Sequence, residues 1–313
     1  MNSCRRLDEP IGLFLDEFAL KRDFPDPLEI HGQIRPFDLA EVSRSLSAAA
    51  DSRRWCHDVV EIYSLAERRW IVDPRWGVCQ IDLLKHRWQS WVLADPRLDG
   101  VQLAEAAVLH PMAQLLRPRG VDLVPAVSIE RAGWGALIIA PYPISAEIVC
   151  IVRAGYRVIG QRWTAVVRHN GSTILRRVGG PMESSAPHAA WIDLTADNPW
   201  ACAELARCDA VLAIAPGRRT TSQGRVLPAA ESQAFLRHAW PIRQPPPDRP
   251  SLHHPAATLA DQCICLRLQL SRHEDEFLQL IEFARKRSAA RVQVFVNPAL
   301  RRSMATMRPK AAG

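Results

Sequence analysis

The residues best suited to chemistry in this sequence are polar side chains within and just beyond residues 125–164. In chain order, these candidate ligand- and anion-binding residues are Ser145, Arg153, Gln161, Arg162 and Arg168. An arginine guanidinium offers a planar fork of donors that fits phosphate and carboxylate groups. The pattern therefore favours the binding of an anion. The alternative is a set of solvent-exposed arginines at the ends of strands.

A second candidate anion site follows another apolar stretch, DAVLAIA at residues 209–215. Arg218 and Arg219 come soon after this predicted strand, and ligands of open α/β sheets gather at the carboxyl ends of strands. Exposed turn residues are the alternative. The sequence has no GxSxG or HExxH motif and no set of ligands with metal-site spacing. It therefore predicts no catalytic residue, no metal site and no cofactor.

The first group of residues depends on a predicted strand–turn–helix–strand unit. Residues 135–140 form an apolar run of strand length, and Ser145 suits the N-cap of the helix that follows. The helix stops at Gly155, and the short strand YRVIG comes next. A helix that begins directly after a buried strand presents backbone N–H groups and the positive end of its dipole. The unit therefore has the architecture of a phosphate-binding site.

Two phrases in this unit carry a resemblance to a known family: RAGWGALII at residues 131–139 and VRAGYRVIG at residues 152–160. The segment resembles the core of the HPr serine kinase/phosphorylase family and its relatives with a PEP carboxykinase-like P-loop. The resemblance implies an α/β protein with a mixed sheet, hairpins and flanking helices. It implies an HPr kinase C-terminal-domain/PEP carboxykinase-like core, a smaller N-terminal α+β region and a bacterial source.

The same segment departs from the family at the positions that carry the family's chemistry. Its loop, residues 140–145, contains two prolines and no glycine, and Ile144 stands where the family has its phosphate-binding lysine. Gln161 and Arg162 replace the family's paired acids, and Pro125 aligns with its histidine. Proline lacks an N–H donor, glutamine cannot take up a proton, and arginine repels Mg²⁺. The resemblance therefore implies a degenerate P-loop that lacks the Walker A motif.

This combination predicts a non-catalytic, pseudokinase-like binding or regulatory protein that recognises a protein or peptide partner or an anionic ligand. Two alternatives remain open. One is an active ATP-dependent serine kinase, or another nucleotide-binding enzyme, with a remodelled phosphate loop. The other is an arginine-rich scaffold in a multiprotein assembly. Membrane and nucleic-acid partners are not expected, whereas a homo-oligomer is compatible with the way HPr kinases assemble.

Composition sets wider limits on the protein. The 313 residues are 48% hydrophobic and carry a formal net charge of +7, which is typical of a globular protein and too dilute to indicate a nucleic-acid-binding surface. The eight cysteines form no CxxC pair, which favours reduced thiols. Neither a signal peptide nor a membrane-spanning run is expected from the sequence. We therefore predict a cytoplasmic protein.

The predicted organisation has five parts. Residues 1–117 form the N-terminal α+β region, and residues 118–240 form the degenerate HPr kinase-like core. Residues 241–257 are a Pro-rich linker, residues 258–300 a strand–helix–strand that completes the core, and residues 301–313 a disordered basic tail.

Overall fold

The computed structural model of the chain describes residues 30–50, 52–57, 59–93, 99–169, 171–178, 182–183, 191–192, 194, 199–215, 221–239, 255–271 and 275–289. It is an α/β protein with two mixed sheets, hairpins and flanking helices, as the sequence predicts. Arg218, Arg219, the predicted tail and most of the predicted linker lie outside the described residues. Within the described part of the chain, no helix has both the length and the apolar character needed to cross a membrane.

The first sheet is built from six consecutive strands. They are β1 (His31–Pro36), β2 (Arg53–His57), β3 (Val60–Leu65), β4 (Arg68–Asp73), β5 (Gly77–Asp82) and β6 (Arg87–Val92). Their order is β1-β6-β5-β4-β3-β2, with β1 parallel to β6 and the other pairs antiparallel. Helix α1 (Leu39–Ser47) is capped by Asp38, whose carboxylate accepts hydrogen bonds from two backbone N–H groups. Its residue Val42 packs with Val78 and Trp91 of the sheet.

A continuous helix, α2, joins the first sheet to the second. It runs through Gly100–Ala104, a π-helical turn at Glu105–Leu109, and His110–Leu116. The carbonyl of Ala107 in the π-helical turn accepts hydrogen bonds from Trp88 Nε1 at 3.0 Å and Ser90 Oγ at 2.8 Å. A π turn shifts the register of the helix by one residue, and such turns are common at functional sites. In this protein the turn anchors α2 to strand β6.

The second sheet contains nine strands. They are β7 (Val121–Pro125), β8 (Val127–Arg131), β9 (Trp134–Ile139), β10 (Arg157–Gly160), β11 (Trp163–His169), β12 (Ser172–Arg177), β15 (Leu205–Ile214), β16 (Gln223–Val226) and β17 (Ile264–Gln269); the short strands β13 (Met182–Glu183) and β14 (Trp191–Ile192) pair separately. The main path is β10-β8-β9-β15-β12-β11-β7, and β17 joins β15 on one side and β16 on the other. β9, β15 and β17 run parallel to one another, and the hairpin strands are antiparallel.

Four helices accompany the second sheet. They are α3 (Ser145–Arg153), α4 (Ala229–Ala239), α5 (Pro255–Gln262) and α6, which spans residues 275–289. Ile148 and Ile151 of α3 lie in one hydrophobic cluster with Phe277 and Ile281 of α6. The parallel part of the sheet is therefore covered by α3 and α6 on one face.

The strand–helix–strand unit predicted from the sequence is present as β9, α3 and β10, with one correction. Ile144, rather than Ser145, occupies the N-cap of α3, and no side chain caps the helix there. Ser145 is the first helical residue and is only 2% exposed. The reason lies in the backbone: Ile144, with φ −124° and ψ 31°, is the last residue outside the helical conformation, so Ser145 is already within the helix. At the other end, Gly155 has a φ of +88°, as expected of a residue that ends a helix.

Candidate functional site

A pocket of about 430 Å³ lies between the end of β9 and the start of α3. Its walls come from the ends of β7 and β9, the loop at residues 140–144, residues 161–163 after β10, and Glu105 of α2. We call this cavity the loop pocket. Its volume is within the range of cavities that bind small molecules or single side chains of a partner.

The loop pocket brings together the positions at which the sequence departs from the HPr kinase pattern. Pro125, Ile144, Gln161 and Arg162 all line it, although they are separated by up to 37 residues (from 125 to 162). They meet because β7, β9 and β10 all end at this side of the sheet. The predicted strand–turn–helix–strand unit therefore borders this cavity, while the ligand-binding roles of Ser145, Gln161 and Arg162 remain predictions.

The loop at residues 140–144 does not resemble a phosphate cradle. Pro141 and Pro143 have no N–H to offer, and both line the pocket. Glu147 is an acidic residue in the first turn of α3 and is 2% exposed, so a buried carboxyl group already lies at the positive end of the helix. A phosphate at this helix end would meet few donors and a nearby acid.

Gly160 allows the tight turn that carries Gln161 and Arg162 to the pocket. A Cβ at this position would lie 2.4 Å from the carbonyl oxygen of Trp163 and 2.6 Å from Thr164 Oγ1. The backbone N–H of Gly160 donates to Ser128 Oγ at 2.9 Å. Only a residue without a side chain can bring the strand end this close to its neighbours.

Gln161 has a structural partner as well as a face on the pocket. Its side chain is 4% exposed, and Oε1 accepts a hydrogen bond from the backbone N–H of Leu194 at 2.8 Å. The amide therefore holds residue 194 against the end of β10. A carboxylate in its place could accept the same bond, so the geometry does not require glutamine in particular.

Arg162 forms a buried ion pair with Glu105, a residue that the sequence analysis did not single out. Its Nη2 lies 2.9 Å from Glu105 Oε2, and its Nε donates to Oε1 of the same carboxylate. Trp163 Nε1 also donates to Glu105 Oε1, at 2.6 Å. The carboxylate is therefore surrounded by three donors, and the positive charge of Arg162 is matched inside the pocket wall.

Behind this pair lies His110 of α2. Its ring stands edge-on to that of Trp163, with 5.8 Å between the centroids. Burial lowers the pKa of His110, although Glu105 and Asp73 raise it in part. The imidazole is therefore neutral at neutral pH, and its contact with Trp163 is that of two uncharged rings. His110, which belongs to the N-terminal region, therefore packs behind the pocket wall without adding a charge.

The remaining candidates lie elsewhere. Arg153 is exposed at the last position of α3, the end opposite the pocket. Arg168 is exposed near the end of β11, where its backbone N–H donates to Gly120 O at 3.3 Å. Arg218 and Arg219 are outside the described residues, so the second anion site predicted from the sequence stays a prediction.

Arg168 lies close to a buried carboxyl group, Asp122 of β7. Burial raises the pKa of Asp122 from 3.8 to about 6, although Arg117 and Arg168 lower it in part. The Arg117 guanidinium is near this carboxylate, with 3.7 Å between Nε and Oδ1. Asp122 therefore carries its charge in the folded protein only near and above pH 6.

We expect Asp122 to make stability fall as pH rises from 3.8 to about 6. In that window the folded state keeps a proton that the unfolded state releases, so ionisation favours unfolding. The full effect is on the order of 3 kcal/mol. Urea denaturation of the wild type and Asp122→Asn across this window measures it, with the exposed acid Glu67→Gln as control. Equal pH dependence in the wild type and Asp122→Asn would contradict the assignment.

The pocket does not fit the nucleotide and Mg²⁺ that the family resemblance implies. Mg²⁺ prefers carboxylate oxygens and phosphates, but the carboxylate in this wall, Glu105, is already bound to Arg162 and Trp163. Among the residues that the structure describes, no group of three or more His, Cys, Asp or Glu could hold a metal ion. The geometry instead defines an α/β protein with a proline-lined pocket at a strand–helix junction.

Comparisons with known proteins find similar chains among the solved structures. No protein-family model matches the chain, and no curated protein matches it. It is similar to the HPr(Ser) kinase/phosphatase from Coxiella burnetii, with 11% sequence identity and a TM-score of 0.36. The similarity covers 57% of this chain and 96% of that one. This similarity transfers no activity, ligand or partner to the chain.

Proposed function

We propose that the protein is a non-catalytic binding protein, a degenerate relative of the HPr serine kinases, and that the loop pocket receives a partly apolar peptide segment of a partner protein. The proposed relationship is supported by the residue match at RAGWGALII and VRAGYRVIG. The proposed loss of catalysis is supported by the residues that line the pocket in place of the family's glycines, lysine, acids and histidine.

The observation that carries the proposal is the ion pair between Arg162 and Glu105. These are the charged residues of the pocket lining, and each neutralises the other. A nucleoside triphosphate needs a surplus of positive charge and N–H donors. In the loop pocket the charges of Arg162 and Glu105 cancel. A peptide segment needs apolar walls and a few polar groups.

The walls of the loop pocket provide the apolar surface that a peptide segment needs. Val127, Ile138 and Ile144 provide aliphatic surface, and Pro141 and Pro143 add apolar rings at the entrance. Tyr142 is also part of the lining and offers an aromatic face. Peptide ligands commonly place one apolar side chain in such a cavity and keep their backbone at its rim.

The test is a selection of peptides from a random display library on the wild-type protein, followed by affinity measurement on two tryptophan variants. Ala140→Trp fills the pocket, and Ala234→Trp places the same side chain on an exposed position of α4. When the pocket that holds a partner's anchoring side chain is filled, binding weakens by about tenfold or more. We therefore expect Ala140→Trp to bind at least about tenfold more weakly and Ala234→Trp to match the wild type. Enriched peptides that bind both variants equally well, or no enrichment at all, would rule out the pocket as a peptide site.

One feature favours nucleotide binding as a second candidate. The N-cap residue of α3, Ile144, lines the same cavity, so this helix of nine residues begins beside it. Equilibrium dialysis with ATP and Mg²⁺ separates the two functions. We expect no retention of ATP at concentrations up to about 1 mM, the upper end of usual substrate affinities. Tight, Mg²⁺-dependent retention would overturn the non-catalytic proposal.

A further inference from the structure

Strand β16 forms an open edge of the second sheet. It pairs with β17 on one side, and none of the other described strands pairs with its second side. All four of its residues, 223–226, are exposed. The backbone N–H and C=O groups along an open edge can form hydrogen bonds with another extended chain.

The pairing of β16 with β17 shows which backbone groups point outward. The two strands are antiparallel, and just after β16 the N–H of Leu227 donates to Cys265 O at 2.8 Å. In an antiparallel pair, hydrogen-bonded residues alternate with residues that are not hydrogen-bonded to the partner strand. Arg225, two residues before Leu227, therefore bonds to β17. Gly224 and Val226 have the opposite phase, so their N–H and C=O groups point away from β17.

A cavity of about 500 Å³ lies beside this edge, between β16 and α6. Its lining includes Gly224 of β16 and Leu280 and Phe283 of α6. A Cβ on Gly224 would lie 3.1 Å from Leu280 Cδ2, so this position of the strand faces α6. At the start of β16, the N–H of Ser222 donates to Glu276 Oε2 at 2.6 Å. Helix α6 therefore runs along β16 in the same direction, and Phe283 lies toward the end of the strand.

The α6 side of this edge exposes two large apolar side chains. Val226 is 43% exposed and Phe283 is 36% exposed. Val226 is two residues after Gly224, so both positions face the same side of the sheet. On a strand added to β16, the residues opposite Gly224 and Val226 would also face α6. Apolar side chains at these two positions would cover the exposed surface, while the backbone bonds hold the added strand in place.

The other face of the edge carries an excess of positive charge. Arg225 lies directly opposite Arg267 of β17, and both side chains are exposed. Arg225 Nη2 also donates to Glu231 Oε2 of α4 at 2.6 Å, so two positive charges stand beside one negative charge. An acidic residue opposite Arg225 on an added strand would balance this group, because opposite charges in directly paired positions are favourable.

The same charges disfavour a second copy of this chain as the added strand. An antiparallel pair of two β16 strands that uses both outward-facing residues places Gly224 opposite Val226 of the copy. In that register Arg225 lies opposite Arg225 of the copy, and like charges in directly paired positions are unfavourable. The charges therefore favour a different chain, with an acid at this position.

We propose that β16 binds an extended segment of a partner protein, which continues the second sheet as an added strand. The segment has the pattern apolar–acidic–apolar. Its two apolar residues lie opposite Gly224 and Val226 and face the cavity beside α6, and its acidic residue lies opposite Arg225. The site is separate from the loop pocket and does not depend on the function proposed for it.

Fluorescence anisotropy with two labelled peptide pools tests the proposal on the full chain. One pool has Val-Glu-Val at its centre and the other has Val-Lys-Val, with randomised residues on both sides. Val226→Pro removes an outward N–H, and proline is tolerated on the open side of an edge strand. Val226→Thr keeps that N–H and a β-branched side chain, and is the matched control. Arg225→Glu reverses the charge at the edge, and Lys85→Glu does so in an exposed turn of the first sheet.

We expect the wild type to bind the Val-Glu-Val pool about fivefold more tightly than the Val-Lys-Val pool, the effect of exchanging an attractive exposed charge pair for a repulsive one. Arg225→Glu should reverse this preference, and Lys85→Glu should keep it. Val226→Pro should weaken binding of the Val-Glu-Val pool by at least about fivefold, the loss of one hydrogen bond. Val226→Thr and Ala140→Trp, which fills the loop pocket, should bind this pool as the wild type does.

Four results would overturn the proposal. They are an absence of binding by either pool, equal affinity for the two pools, equal losses in Val226→Pro and Val226→Thr, and a wild-type dimer in sedimentation that Val226→Pro dissociates. The last result would mean that a second copy occupies the edge. Circular dichroism checks that Val226→Pro is folded, and the comparison of the two pools on Arg225→Glu tests the site without that variant.

Discussion

Glu105→Ala is expected to lower the free energy of unfolding by about 3 kcal/mol. Glu105 accepts hydrogen bonds from Arg162 and from Trp163 Nε1, and it is 8% exposed. Its removal leaves a guanidinium without its carboxylate in a pocket wall where its side chain is only 21% exposed. The partial exposure of Arg162 keeps the loss at the lower end of the range for broken buried pairs. Urea denaturation followed by tryptophan fluorescence measures it.

A double-mutant cycle separates the ion pair from simple loss of packing. Glu105→Leu with Arg162→Met replaces both charges by apolar groups of similar size, which is often neutral for stability. We expect the double variant to lie within about 1 kcal/mol of the wild type, while each single variant is clearly less stable. Additive losses in the double variant would mean that Glu105 acts by packing alone.

The sequence predicted the strand–helix–strand unit that borders the loop pocket because that unit follows from local order. Ile144 stands at the start of the predicted helix, and Gln161 directly follows the predicted strand YRVIG. The ends of neighbouring strands must meet at one edge of a sheet. The same reasoning supported the fold class, because strand–helix–strand order is a local signal.

Glu105 could not be found in this way. It lies 57 positions before Arg162 in the chain and belongs to a helix of the N-terminal region. Nothing in residues 105–109 marks a π turn in the sequence, and the Trp88 and Ser90 side chains that bond to Ala107 in this turn come from an earlier strand. The available signal was the presence of an acid, Glu105, in a helix rich in Ala and Leu. An acid that is buried in such a helix requires a partner.

The arginines that are close in the sequence are not close in the structure. Arg162 and Arg168 are six positions apart, but a strand rises about 3.3 Å per residue, so they lie roughly 20 Å apart. Arg153 is eight positions from the start of α3, which corresponds to roughly 12 Å along the helix. One set predicted from the sequence is therefore divided among the loop pocket, the end of β11 and an exposed helix end.

Gly160→Ala is expected to be as damaging as the loss of Glu105, for a different reason. The new Cβ would lie 2.4 Å from the carbonyl oxygen of Trp163, a backbone atom that cannot rotate away. The turn through Gln161 and Arg162 would have to move, and overpacking of this kind costs about 3 kcal/mol. Because the turn carries one wall of the loop pocket, peptides selected on the wild type should also bind more weakly.

Gly155→Ala is the control that separates steric conflict from backbone strain. Gly155 has a φ of +88° and no atom within 4 Å of an added Cβ, so alanine there is strained but meets no neighbour. Its cost is about 1 kcal/mol, and it lies at the end of α3 opposite the pocket. We therefore expect Gly155→Ala to lose stability without losing peptide affinity. If both alanine variants lowered affinity by the same factor, the geometry of the 160–163 turn would not be what shapes the pocket.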